Sequence, residues 1–125
     1  MQTKTLTVKV TTSEGGGMSE LVLPGPINRL LALGVHYDAA CPDTTGMSVQ
    51  CSVPAYKELL CLMNRNTDLP LSQVTEVEVD PSGAARAEPC TKPPLVGGVL
   101  NVSVSVPPFC DPIVDAVTVT AVVEV

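Results

Sequence analysis

The residue types that most often carry chemistry are few in this chain and are not spaced as a site. His36 is the only histidine, and it lies beside Tyr37 in a stretch of alternating apolar residues. Catalytic triads and most zinc sites need a histidine with positioned partners, and the spacing supplies none. We therefore expect His36 to be an ordinary exposed or hydrogen-bonded side chain. The sequence predicts no enzyme activity, no catalytic residue, no cofactor and no metal site.

The cysteines do not follow a metal or redox pattern. There are five of them, and no two have the Cys-x-x-Cys spacing: Cys41, Cys51, Cys61, Cys90 and Cys110. Their odd number excludes a fully paired disulfide framework. We expect Cys51 and Cys61, in strand-like stretches, to be buried as small apolar residues. Cys41, Cys90 and Cys110 lie within two residues of a proline in loops, where thiols are more exposed. These three are the candidates for cross-links between subunits in an oxidising medium.

Composition and charge exclude several classes of partner. The formal net charge is −6, with only seven Lys and Arg among 125 residues, so the basic footprint of a nucleic-acid binder is missing. No apolar run reaches the length of a membrane span. The N-terminus alternates Thr and Lys with apolar residues and does not resemble a signal peptide. We expect one domain, residues 1–125, made in the cytoplasm, with neither nucleic acid nor membrane as a partner.

Valine-rich alternation is the main structural signal. It predicts strands at residues 5–12, 27–37, 47–53, 74–79, 95–106 and 116–125, because a period of two places one face of a strand in a core. Residues 54–64 fit a short helix or a strand, and their surroundings favour a strand. Gly97-Gly98 suggests a bulge or a tight turn into its strand, and SEGGGMSE suggests a flexible turn.

The pattern predicts an all-β fold, a β-sandwich or small barrel of about seven or eight mostly antiparallel strands. Its last strand, Val-rich to the end of the chain, would aggregate if left as an open edge. We expect it to lie beside the first strand or to pair with a neighbouring subunit. The outward positions of the strands carry Thr and Ser, which suit either solvent or contact with another protein.

The order of these segments resembles a known kind of protein. TLTVKVTT, LPGPINRLLALGVHYDA, DTTGMSVQCSV, PLVGGVLNVSVSV and AVTVTAVVEV together resemble small β-rich structural proteins of tailed bacteriophages, encoded among the head and tail genes. Residues 54–92, richer in Leu, Cys and Pro, depart from that plan. The resemblance implies a non-enzymatic virion component. It favours a capsid decoration (cement) protein on the capsid surface, binding the major capsid protein or other virion subunits as a homo-oligomer, a trimer or a dimer.

Two alternatives stay open beside this reading. One is another virion part, such as a tail-tube, tail-completion or head–tail joining protein. The other is a surface-binding β-sandwich module, which usually relies on exposed aromatic platforms that this chain hardly has. In the decoration hypothesis the contacts lie in Pro- and Gly-rich loops, and the candidate contact residues are Gly16, Pro24, Pro26, Pro93, Pro107, Pro108 and Phe109.

Overall fold

The described part of the chain consists of β-strands joined by turns and loops. The computed structural model describes residues 2–25, 28–53, 57–73 and 95–124. The strands are β1 (Thr3–Thr12), β2 (Gly16–Val22), β3 (Asn28–Tyr37), β4 (Gly46–Val53), β5 (Lys57–Leu62), β6 (Leu69–Gln73), β7 (Leu95–Ser105) and β8 (Ile113–Glu124). The prediction of an all-β fold with seven or eight mostly antiparallel strands is confirmed.

Antiparallel pairing joins all eight strands into one branched sheet. One ladder runs β1-β8-β3-β6, and a second runs β2-β7-β4-β5. The two meet where Asn28 and Arg29 pair with Val96 and Leu95. β7 and β8 are therefore flanked on both edges, and the apolar residues of one face of each strand pack in the core.

The terminal strands are neighbours, as predicted. β1 pairs with β8 from Thr3↔Glu124 to Val10↔Val117, while the other edge of β8 pairs with β3. Both edges of the last strand are thus occupied within one chain. A partner strand from a neighbouring subunit is not needed to protect it.

A bulge in β3 changes which residues face inward. Leu30 pairs with Val123 but Ala32 pairs with Val122, so Leu31 is an extra residue. Before the bulge Leu30 is buried and Arg29 is exposed, and after it the odd positions from Leu33 onwards are buried. The predicted single alternation through residues 27–37 was therefore wrong in detail, because an extra residue shifts the side-chain parity.

The predicted flexible turn is shorter than expected and leads directly into a strand. Ser13 and Gly16 exchange backbone hydrogen bonds of 2.9 and 3.0 Å, and the two residues between them, Glu14 and Gly15, have φ of 42° and 100°. Two positive φ values in a row are what a type I′ hairpin turn requires. β2, which was not predicted as a strand, begins at Gly16.

Of the remaining sequence predictions, two are confirmed and one lies outside the described residues. The bulge at Gly97-Gly98 is confirmed, since Gly98 has φ of 68° and the β4–β7 register shifts there. Within residues 54–64 the described part, β5, is a strand, as favoured. β6 ends at Gln73, and the strand predicted at residues 74–79 lies outside the described residues.

The core is aliphatic. The described residues contribute one buried aromatic ring, Tyr37, to a cluster from both ladders that is made mostly of Val, Leu and Ala. The largest fully buried apolar side chains are Leu30, Leu33, Leu100, Val10, Val49, Val96, Val102, Val117, Val119 and Val123. Branched side chains with few rotamers pack such a core at low entropic cost.

Candidate functional site

Two chain reversals meet at one end of the sheet and form its most distinctive surface. The β1–β2 turn contacts the β7–β8 loop, because Val106 donates its backbone N–H to the Gly15 carbonyl at 2.9 Å. Within the loop, Cys110 N–H donates to the Pro107 carbonyl at 3.0 Å, which closes a four-residue turn. We call this surface, residues 13–16 and 106–112, the loop end.

The far side of the loop end is fastened to β1 by threonine side chains. Thr12 Oγ1 accepts a hydrogen bond from Ile113 N–H at 3.3 Å, and Thr11 Oγ1 accepts one from Asp115 N–H at 3.1 Å. Asp115 has a positive φ of 50°, and the β1–β8 register shifts between Val10 and Thr12. The loop is thus held at both of its ends, so its tip is presented with little freedom left to lose on binding.

The tip of the loop end carries an exposed aromatic ring. Phe109 is the only phenylalanine in the chain and 86% of it is exposed, and Val114, near the start of β8, is 73% exposed. Burying a phenylalanine side chain is worth about 1.5–3 kcal/mol, and the fold forgoes that gain. An aromatic anchor on a fixed support is the type of residue that dominates protein interfaces.

The predicted contact residues separate into two groups. Gly16, Pro107, Pro108 and Phe109 come together at the loop end, because Gly16 pairs with Ser105 at the end of β7. Pro24 lies beyond the opposite end of β2, where Leu23 N–H donates to the Gly98 carbonyl at 3.1 Å. Pro26 and Pro93 lie outside the described residues.

Gly16 has a structural reason to be glycine. A Cβ on Gly16 would lie 2.4 Å from the Val104 carbonyl oxygen, a distance that no real Cβ tolerates. The residue is half-buried inside β2 rather than displayed on a mobile turn. Its contribution to the loop end is to let β2 approach β7 closely.

The thiols differ from the sequence predictions at two positions. Cys41 is 3% exposed, and its thiol donates to the Ala116 carbonyl at 3.1 Å. Burial first and the Asp38 carboxylate second raise the pKa of Cys41. The expectation that this loop thiol is exposed is wrong, because Cys41 is buried, and its role in cross-links stays a prediction. A second loop is hydrogen-bonded to the loop that carries Cys41, since Asn66 between β5 and β6 donates to the Cys41 carbonyl at 3.0 Å.

The other cysteines divide differently. Cys51 is buried as predicted, whereas Cys61 is exposed, because the strand that carries it turns this position outward. Cys110 is partly exposed on the loop end and remains a candidate cross-linking thiol. Cys90 lies outside the described residues.

A carboxylate that sequence reasoning missed fixes the single histidine. Asp68 Oδ2 lies 2.8 Å from His36 Nδ1, and Asp68 Oδ1 accepts the Tyr37 backbone N–H at 2.9 Å. These two hydrogen bonds, the backbone one first, lower the pKa of Asp68. Arg65 donates to the carbonyls of Thr67 and Asp68 and so holds the loop in place. His36 is hydrogen-bonded, as one of the predicted possibilities had it.

The arrangement around His36 has a clear structural use. Asp68 occupies the edge of β3 where β6 has not yet begun, and it satisfies a strand N–H there. A shallow cavity of about 270 Å³ lies beside it over Gly34, lined also by Leu71 and Thr120. The described residues contain no group of three or more His, Cys, Asp or Glu side chains placed to hold a metal ion.

Comparisons with known proteins add no family assignment. Neither the protein-family models, nor the curated proteins, nor the solved structures gave a match. In the part of the chain that the structure describes, no helix is long and apolar enough to cross a membrane.

Proposed function

We propose that this protein is a non-enzymatic structural protein of a bacteriophage virion, a capsid decoration protein that binds shell subunits on the outer surface. One observation carries the proposal on the structural side: Phe109, 86% exposed, stands on a loop whose two ends are hydrogen-bonded to β1 and to the β1–β2 turn. The resemblance of the strand order to small phage structural proteins supplies the rest.

The loop end suits repeated binding to a regular surface. A single inserted phenylalanine with its rim gives a modest affinity, because association itself costs several kcal/mol. A dimer or trimer multiplies such contacts into a high avidity without any new chemistry. The aliphatic core gives each copy a rigid body, and a net charge of −6 suits a surface that faces away from packaged DNA.

The test is co-sedimentation of the purified protein with empty capsids assembled from the capsid gene found in the same genome. Phe109→Ala should abolish or strongly reduce binding, because it removes the anchor. Val22→Ala is the matched control, since Val22 is also exposed, at 71%, but lies at the opposite end of β2. Both variants should keep the wild-type melting temperature, because neither side chain is packed in the core.

Three results would contradict the proposal in different ways. Equal loss of binding in both variants would remove the loop end as the contact. Rings or tubes of the protein alone, or binding only to portal assemblies, would favour the tail-tube, completion or joining role. No association with any particle, with retained binding to a cell surface, would favour the surface-binding module.

A further inference from the structure

The outward face of the β2-β7-β4-β5 ladder holds a groove that the loop end does not use. Its volume is about 290 Å³, and its lining includes Gly46, Ser48, Glu58, Cys61, Met63 and Ser105. The cross-strand register builds it in rows: Ser105 pairs with Gly46, and Ser48 pairs with both Ser103 and Cys61. Because the side chains in the middle of this face are small, they form the floor of the groove.

A methionine forms one wall of this groove. A Cβ on Gly46 would lie 3.1 Å from Met63 Sδ and 2.8 Å from Ser105 Oγ, so the Met63 side chain lies across the glycine. Met63 is nevertheless 62% exposed. A flexible, polarizable thioether that covers a glycine can move aside and pack against an incoming apolar or aromatic group.

The other end of the groove is acidic. Glu58 pairs with Gln50, two residues along β4 from Ser48. Glu58 and Cys61 both line the groove, and desolvation first and the Glu58 carboxylate second raise the pKa of the Cys61 thiol. Glu20 pairs with Asn101 in the same row. Among the described side chains that face outward from this ladder, none is Lys or Arg.

This surface favours a basic partner over a second copy of the chain. If a second copy packed the same face against this one, the Glu20 and Glu58 carboxylates would approach a face on which the described side chains include no cation. A segment that supplies a Lys or Arg would complement both the groove and the net charge of −6, since opposite charges select partners at protein surfaces.

The spacing of the two ends defines the ligand. Gly46 and Gln50 are four residues apart on one strand, a distance of about 13 Å at 3.3–3.4 Å per residue. In an extended segment lying along β4, residues i and i+4 fall on the same side and span the same distance. We propose that this groove binds an extended protein segment that carries an apolar side chain and, four residues away, a lysine or arginine. The proposal is independent of the virion role and of Phe109.

The test is an NMR titration of the ¹⁵N-labelled protein with short synthetic peptides. The probes carry phenylalanine and arginine four residues apart in a Ser/Thr background, in both chain directions, and the control peptides place them three residues apart. We expect the four-residue spacing to shift the amide signals of Gly46, Ser48 and Ser103 and to bind more tightly than the three-residue spacing. Equal binding of both spacings, or shifts that centre on residues 106–112, would overturn the proposal.

Two variants test the two ends separately. Glu58→Gln should weaken the arginine peptide about two- to five-fold, the range of an exposed ion pair, and should leave a norleucine analogue of that peptide unaffected. Gly46→Ala should weaken both peptides, because the new methyl group raises the groove floor, while its contacts are the movable ends of Met63 and Ser105. Thermal melts confirm that both variants fold.

Two further outcomes would count against the groove as a peptide site. If Glu58→Gln and Gly46→Ala bind like the wild type, the groove is not the site. If the same amide signals move with protein concentration in the absence of peptide, the face is covered by a second copy instead. Failure of this titration leaves capsid binding through Phe109 intact, so the two proposals fail separately.

Discussion

The sharpest stability prediction concerns Gly17 in β2, where a single methyl group would meet backbone. A Cβ on Gly17 would lie 2.3 Å from the Thr11 carbonyl oxygen and 3.2 Å from Val10 Cγ1. An ordinary contact needs about 3.5 Å, so β1 and β2 would have to separate by more than an ångström. β1 is pinned by nine registered pairs to β8, which leaves little room for that movement. Overpacking against a fixed backbone costs about 1–3 kcal/mol.

Gly46→Ala provides the matched comparison. Both glycines lie in strands and neither has a positive φ, so both variants reduce the entropy of the unfolded chain by the same amount, worth about 0.4–1 kcal/mol in favour of folding. At Gly46 the methyl group meets the movable ends of Met63 and Ser105. Gly46→Ala should therefore be neutral or slightly stabilising, while Gly17→Ala should lose about 1–2 kcal/mol net.

The assay is urea unfolding followed by far-ultraviolet circular dichroism, with free energies of unfolding from linear extrapolation. The midpoint of Gly17→Ala should fall with an unchanged slope, and that of Gly46→Ala should stay or rise. The reasoning is refuted if the two variants unfold at the same midpoint. That result would mean that β1 and β2 can separate at no cost and that their close approach does not contribute to stability.

Three further predictions follow from buried or hydrogen-bonded groups. Tyr37→Phe should keep or raise the melting temperature, because the buried Tyr37 hydroxyl has no hydrogen-bond partner in the described structure and an unpaired buried donor costs about 1–3 kcal/mol; a clear drop would reveal a partner. Asp68→Asn should be less stable than the wild type at neutral pH. The pKa of Asp68 is lowered by the Tyr37 N–H and His36, so the stability that the Asp68 carboxylate contributes is present above the unfolded pKa of about 3.9 and disappears as the pH falls through the lower folded pKa. The difference in melting temperature between Asp68→Asn and the wild type should therefore close from neutral to acid pH, and a constant difference would contradict the assignment. Native-state alkylation mapped by mass spectrometry should modify Cys61 well before Cys41, because Cys41 is buried and donates to a carbonyl; comparable rates would mean that the loop over Cys41 opens freely.

The sequence predicts best the stretches in which buried and outward residues alternate regularly. From Val117 to Glu124, β8 alternates regularly between buried and half-buried residues, and β1 and β3 pair with its two edges over this stretch. Its valines therefore carry the whole signal locally. The strand signal of β2 is weaker, because its apolar residues Met18 and Val22 are exposed and the strand begins with two glycines. Its formation depends on β7, whose paired residues lie 77 to 89 positions away in sequence, and a local sequence pattern contains no information on that partner.

The prediction of side-chain positions failed where a bulge shifts the alternation of a strand, and where a loop distant in sequence supplies the hydrogen-bond partner. The extra residue Leu31 reverses the faces of β3 midway, and nothing in the run of Leu and Ala marks it. Asp68 reaches His36 across 32 positions, because β6 pairs with β3 rather than with a sequence neighbour. An Asp in a polar loop is usually solvated, so the sequence around Asp68 does not indicate this contact.

If the protein binds a shell as proposed, the two groups of predicted contact residues form two separate contacts, and this can be measured. β2 spans seven residues, about 20 Å, between the loop end with Phe109 and the corner that holds Pro24. A decoration protein that clamps two shell subunits needs two such separated contacts, whereas one that inserts a single anchor needs only the loop end. In capsid binding, Phe109→Ala and Pro24→Ala should be additive if both ends bind, because sites this far apart rarely couple. If Pro24→Ala leaves affinity unchanged in both backgrounds, the protein docks through one end, and its stabilising effect on a shell must come from contacts between copies.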